Sequence, residues 1–110
     1  MSIVNKTKNF PEIITLCGSS RFKTEYLEVT KKLTLEGKIV LSVGLWNHAD
    51  NENLNKKQKK KVDELHLRKI DLSDSIYVLN INGYVGQSTR NEIDYATKMG
   101  KDIVYHEKIK

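Results

Sequence analysis

The 110-residue chain is long enough for one hydrophobic core and too short for two. With 38% hydrophobic and 30% charged residues, it has the composition of a soluble globular domain, which excludes a disordered chain, and no apolar run is long enough to span a bilayer. The net charge of +5 favours anionic partners, and the single cysteine, Cys17, excludes an intramolecular disulfide or a zinc site built from several cysteines.

The N-terminal "MSIVNKTKNF" has no apolar core of signal-peptide length, so a cytoplasmic protein is expected. One domain over 1–110 is expected, with flexible ends at 1–11 and 107–110. "EIITLC" (12–17) reads as a β-strand, with Cys17 a buried, inert thiol at its end. In the helix that follows, Phe22, Tyr26, Val29 or Thr30, and Leu33 recur at helical spacing, and Gly37 supplies the stop. "KIVLSVG" (38–44) is a second strand, and "LWNHADNENLN" is the longest loop. "KKQKKKVDELHLRKIDL" reads as a helix with Val62, Leu65 and Lys69 or Ile70 along one face. Its lysines are either a solvated helix start or a response to a nearby anion.

"SIYVLN" (75–80) is short and apolar enough for a strand buried on both faces. A third helix follows, with Ile93, Ala96 and Gly100 on one face and Gly100 as its cap, and "DIVYH" (102–106) is the last strand. Strands alternating with helices imply right-handed crossovers and an α/β fold: a small, doubly wound Rossmann/flavodoxin-like parallel sheet of about four strands with three helices. Ligands bind such sheets at the carboxyl ends of the strands, where loops 18–21, 44–55 and 81–88 should meet.

Two of those loops carry anion-binding chemistry. In "CGSSR", Gly18 permits a tight turn, and the amides and side chains of Ser19, Ser20 and Arg21 can bind an anion or form an ordinary helix cap. "NGYVGQST" repeats the recipe with Gly83, Gly86, Ser88 and Thr89. Neither loop is "GxxxxGK[ST]" or "GxGxxG", so a triphosphate or dinucleotide cofactor is disfavoured, no cofactor is expected, and a monophosphate fits better. Glu92 has two readings. With Thr89 as N-cap, "TRNE" is a capping box. Facing the pocket, the carboxylate could attack a sugar carbon or stabilise an oxocarbenium ion.

"ITLCGSSR", the acid-bearing helix end before "SIYVLN", and "GYVGQSTRNEIDYA" together resemble the nucleoside 2-deoxyribosyltransferase superfamily, including the 2'-deoxynucleoside 5'-monophosphate N-glycosidases. The resemblance runs from Ile13 to Tyr105 through short motifs. It implies that Gly18, Ser19 and Arg21, with Gly86 and Ser88, hold a 5'-phosphate and that Glu92 is the nucleophile on the anomeric carbon. Thr15 stands where family members often carry tyrosine, and His66 stands near the place of a family aspartate that positions the sugar or protonates the leaving base. His66 is therefore either a general acid or a buried helix histidine, with Asp74, then Asp71, as alternative acids.

Trp46, Asn47 and His48 fall in the loop where the family recognises the base. Trp46 would stack on a base or cover the core edge, and Tyr84 has similar standing. His48, His66 and His106 share no metal-ligand spacing, so no metal is expected. The expected activity is N-glycosidase or deoxyribosyl transfer on a nucleotide or nucleoside. A non-catalytic nucleotide sensor of the same fold is the alternative. Nucleic acid is disfavoured as a partner, because the lysines of 56–61 lack interleaved aromatics. A homo-oligomer is expected, with the C-terminal "YHEKIK" available to complete a neighbour's pocket.

Overall fold

The computed structural model describes residues 9–46 and 53–109. Its four strands are β1 (Ile13–Cys17), β2 (Ile39–Leu41), β3 (Ser75–Val78) and β4 (Asp102–Tyr105), and its three α-helices are α1 (Lys23–Leu35), α2 (Lys56–Leu72) and α3 (Gln87–Lys98). All strand pairs are parallel, in the order β2-β1-β3-β4, which is the small Rossmann/flavodoxin-like arrangement. The order reverses between β1 and β3, and this opens a crevice at their carboxyl ends.

Burial follows from that order. The central strands β1 and β3 are buried along their whole length, while the edges β2 and β4 are partly exposed. Side chains alternate across the sheet. Ile14 and Leu16 join Tyr26, Val29 and Leu33 of α1 on one face. Cys17, Ile76 and Val78 meet Ile70 of α2 and Ala96 of α3 on the other. Each fully buried leucine or isoleucine contributes about 1.5–3 kcal/mol.

Local sequence sets the helix ends. Gly37 and Gly100, at φ +89 and +75, take the left-handed position just past α1 and α3. Asn55 starts α2 through a capping box, with the Gln58 amide donating to Asn55 Oδ1 (2.8 Å) and the Asn55 amide to Gln58 Oε1 (3.1 Å). The phase of α2 differs from the expected one. Leu65 is 53% exposed, whereas His66 and Ile70 are buried, because the contact row runs 62–66–70.

The second strand stops at Leu41, short of the expected Gly44. Thr15 is buried, and its Oγ1 donates to the Lys69 carbonyl and lies against Ser73 Oγ. That pairing ties β1 to the end of α2, away from the crevice. Glu107, within the expected flexible tail, exchanges two hydrogen bonds with the Asn80 side chain. No described helix is long and apolar enough to cross a membrane.

Candidate functional site

The crevice at the switch point is a cleft of about 260 Å³, walled by residues from all three expected loops and by the facing sides of α2 and α3. Ligand pockets usually begin near 300 Å³, so the described part of this cleft is of the size that takes a small molecule.

On one side stands the turn after β1. Gly18 has φ +157, and a Cβ there would meet Leu79 Cβ at 3.1 Å and the Leu79 carbonyl at 3.2 Å, so close passage of the two chains requires glycine. The Tyr26 hydroxyl donates to the Gly18 carbonyl (2.7 Å) and fixes the turn from the α1 face. Ser19 Oγ accepts from the Arg21 backbone amide (3.3 Å) and from Arg21 Nε (3.1 Å). Ser20 is buried. The Arg21 guanidinium lies 4.6 Å from the centre of the Tyr84 ring, a cation–π contact that holds the charge at the cleft mouth.

On the other side α3 begins. Its N-cap is Gly86, and no side chain caps it. The amides of the first turn therefore point their partial positive charge into the cleft beside Ser88 and Thr89. This overturns the capping-box reading, since Thr89 is inside the helix and Glu92 is two positions beyond its first turn. A Cβ at Gly86 would meet the Tyr84 hydroxyl at 3.1 Å. Tyr84 thus stands between the two turns, against Arg21, and lines the cleft.

At the floor, Glu92 and His66 face one another with Oε1 and Nε2 3.8 Å apart, and their side chains are 16% and 7% exposed. Cys17 Sγ lies 3.5 Å from the same His66 nitrogen. Burial raises the Glu92 pKa to about 7, with the Asp63 charge adding to the rise, while the Cys17 thiol and Lys59 oppose it. Burial, then Lys69, lowers His66 to about 4. Burial and the neighbouring Glu92 push the Cys17 thiol up. At neutral pH the floor therefore holds a neutral imidazole, a thiol and a carboxyl group poised between its two protonation states. An imidazole with so low a pKa is a poor general acid, which favours the buried-histidine reading of His66 over the general acid.

Both alternative acids lie away from the cleft. Asp74 sits at the opposite end of the sheet, where its Oδ2 accepts from the Ile13 backbone amide (2.8 Å). Asp71 is also outside the cleft, bonded to Tyr95 and Arg68. Trp46 covers the core edge, packed edge-on against Tyr26 with centroids 5.0 Å apart, and does not line the cleft. His48 and Asn47 lie outside the described residues.

Asp63, Lys59 and Lys69 line the cleft and were missed. Lys59 and Asp63 pair at 2.7 Å, and Lys69 Nζ donates to the Ser42 carbonyl (2.6 Å), bracing α2 against the segment after β2. The signal was present, since 59, 63 and 66 recur at i, i+4 and i+7. Of the lysine run only Lys59 turns to the cleft; Lys56, Lys57, Lys60 and Lys61 are exposed on the solvated side. No protein-family model matches the chain, and no curated protein is significantly similar to it.

Proposed function

We propose that the cleft takes a nucleoside 5'-monophosphate and breaks its base–sugar bond, as in the nucleoside 2-deoxyribosyltransferase superfamily that the sequence resembles. The observation that carries this reading is the Glu92 carboxyl group buried in the same cleft as two facing, anion-competent turns. Ser19, Arg21, Ser88 and the uncapped first turn of α3 hold the phosphate. Glu92 attacks C1'; the C1'–O bond forms as the C1'–N bond breaks, and the electron pair leaves with the base.

The departing base takes its proton from a water molecule in the open cleft, which Asp63, across the cleft on α2 and ion-paired with Lys59, orients. The hydroxide left from that water attacks C1', and the C1'–O bond to Glu92 breaks to free the carboxylate. His66 stays neutral behind Glu92 and orients it. A nucleotide ligand fits a cytoplasmic protein, and the partly exposed edge strands β2 and β4 fit a homo-oligomer.

The test is chromatographic detection of free base after incubating the chelator-treated protein with each ribo- and deoxyribonucleoside 5'-monophosphate, alongside Glu92→Gln. Base release that the variant abolishes is the expected result and names the substrate. Absence of release with retained nucleotide binding would overturn the enzyme reading in favour of a non-catalytic nucleotide-binding module.

A further inference from the structure

The catalytic reading leaves Cys17 without a task, yet it stands in a convergent group. Its Sγ, His66 Nε2 and a Glu92 carboxylate oxygen all lie within 4.8 Å of one another. Each comes from a different element: β1, α2 and α3. We propose that these three side chains form a binding site for a thiophilic divalent cation of the Zn²⁺ class, and that its occupancy withdraws Glu92 from the substrate.

The distances suit such an ion. Zinc bonds of about 2.3 Å to sulfur and about 2.0–2.2 Å to nitrogen and oxygen at tetrahedral angles place the ligand atoms roughly 3.4–3.6 Å apart. Sγ to Nε2 is 3.5 Å, and Nε2 to Glu92 Oε1 is 3.8 Å. Closing the remaining gap requires only a side-chain adjustment of Glu92, the ligand nearest the open cleft. Thiolate and imidazole select zinc over magnesium or calcium, which take oxygen donors. His66 and Glu92 line the cleft, which provides an entry route and leaves the fourth coordination position open to water.

Charge also balances. Binding forms the S–metal bond as the Cys17 S–H proton leaves to solvent, so thiolate and carboxylate together neutralise the doubly charged ion in a buried site. His66 gives a nitrogen lone pair. The site itself does not depend on the glycosidase reading; the shut-off does.

The experiment is titration of the full chain with Co²⁺, followed by absorption. Cys17 is the only cysteine, so a thiolate-to-cobalt charge-transfer band can come from nowhere else. The expected result is one ion per chain, the band present, its displacement by Zn²⁺, and affinity reduced more than about tenfold in His66→Gln and in Glu92→Gln. His106→Gln, at a histidine bonded to Tyr77, should leave the band unchanged. No band, or a band indifferent to both His66→Gln and Glu92→Gln, overturns the site. Base release is measured in parallel with chelator and with Zn²⁺. Release in chelator that Zn²⁺ abolishes supports the shut-off, and release unaffected at saturating Zn²⁺ refutes it. A band without release under any condition keeps the metal site and removes the glycosidase reading, while release without a band does the reverse.

Discussion

The two ends of the sheet use the same residue types in opposite ways. At the amino end, carboxylates satisfy the fold: Asp74 accepts from the Ile13 amide, and Glu12 accepts from Ser75 Oγ (2.6 Å) and pairs with Lys38 at 3.6 Å. At the carboxyl end, Glu92 is largely buried against a neutral imidazole and a thiol, with no lysine or arginine at ion-pair distance among the described residues, and its pKa climbs to about 7. A carboxylate that completes a structure is held low in energy by its donors. One left short of them, like Glu92, costs the fold stability, and such groups concentrate at functional sites.

Substitutions at the two ends should separate cleanly. The largest effect is expected from Glu92→Gln, which should reduce base release at least about 1000-fold in a single-turnover assay, because the nucleophile is gone while the shape is kept. Its melting temperature should not fall. Equal losses of activity and stability would show that Glu92 is structural. Next comes Arg21→Ala, expected to raise KM for nucleoside monophosphates by about 10- to 100-fold, the worth of one charge-assisted hydrogen bond. Unphosphorylated nucleosides should show no change. Identical changes for both substrates would place the phosphate elsewhere.

At the amino end, Asp74→Ala should cost about 1–3 kcal/mol in denaturant unfolding, by leaving the Ile13 amide without its acceptor. Turnover per folded molecule should be intact, and a turnover defect would return Asp74 to the mechanism. The smallest effect expected is the pH dependence of chelator-treated protein. Glu92 is raised from 4.5 to about 7, so its contribution to stability is present below pH 4.5 and lost as pH rises through about 7. His66 is lowered from 6.5 to about 4, so its contribution is present above pH 6.5 and lost as pH falls through about 4. The slopes oppose between pH 4.5 and 6.5, giving a nearly flat thermal-shift profile there. Glu92→Gln should leave only the rising His66 slope, and a profile unchanged by that substitution would contradict the opposition. Base release, needing the ionised Glu92, should rise through about pH 7.

What the sequence disclosed follows the range of the interactions involved. The span of α2 and the glycine stops of α1 and α3 were legible, because caps and helix formers act within a few residues. The meeting of three loops followed from the alternation of strands and helices. The phase of α2 was not legible: Val62, Leu65, Leu67 and Ile70 permit two faces, and only the packing of Ile70 against β3 and α3 chooses the one that carries His66 inward and leaves Asp63 at the cleft rim. Trp46 was ambiguous because its partner, Tyr26, is twenty residues away in the chain and adjacent only in space. Asp74 was misplaced because a carboxylate before a strand lies at the end opposite the strand's outgoing loop.

The close passage of Gly18 against Leu79 also bears on how the cleft can evolve or be redesigned. That jaw is tight, since a side chain at 18 would need Leu79 to give way by a few tenths of an ångström and would sit at a φ that L residues rarely adopt. The opposite wall, Val43–Leu45 and Leu54, is different: a Cβ at Gly44 would meet nothing within 4 Å among the described residues. Variation in ligand size should therefore accumulate at 43–45 and 54 while the turn after β1 stays fixed, giving the cleft one constant grip and one adjustable side.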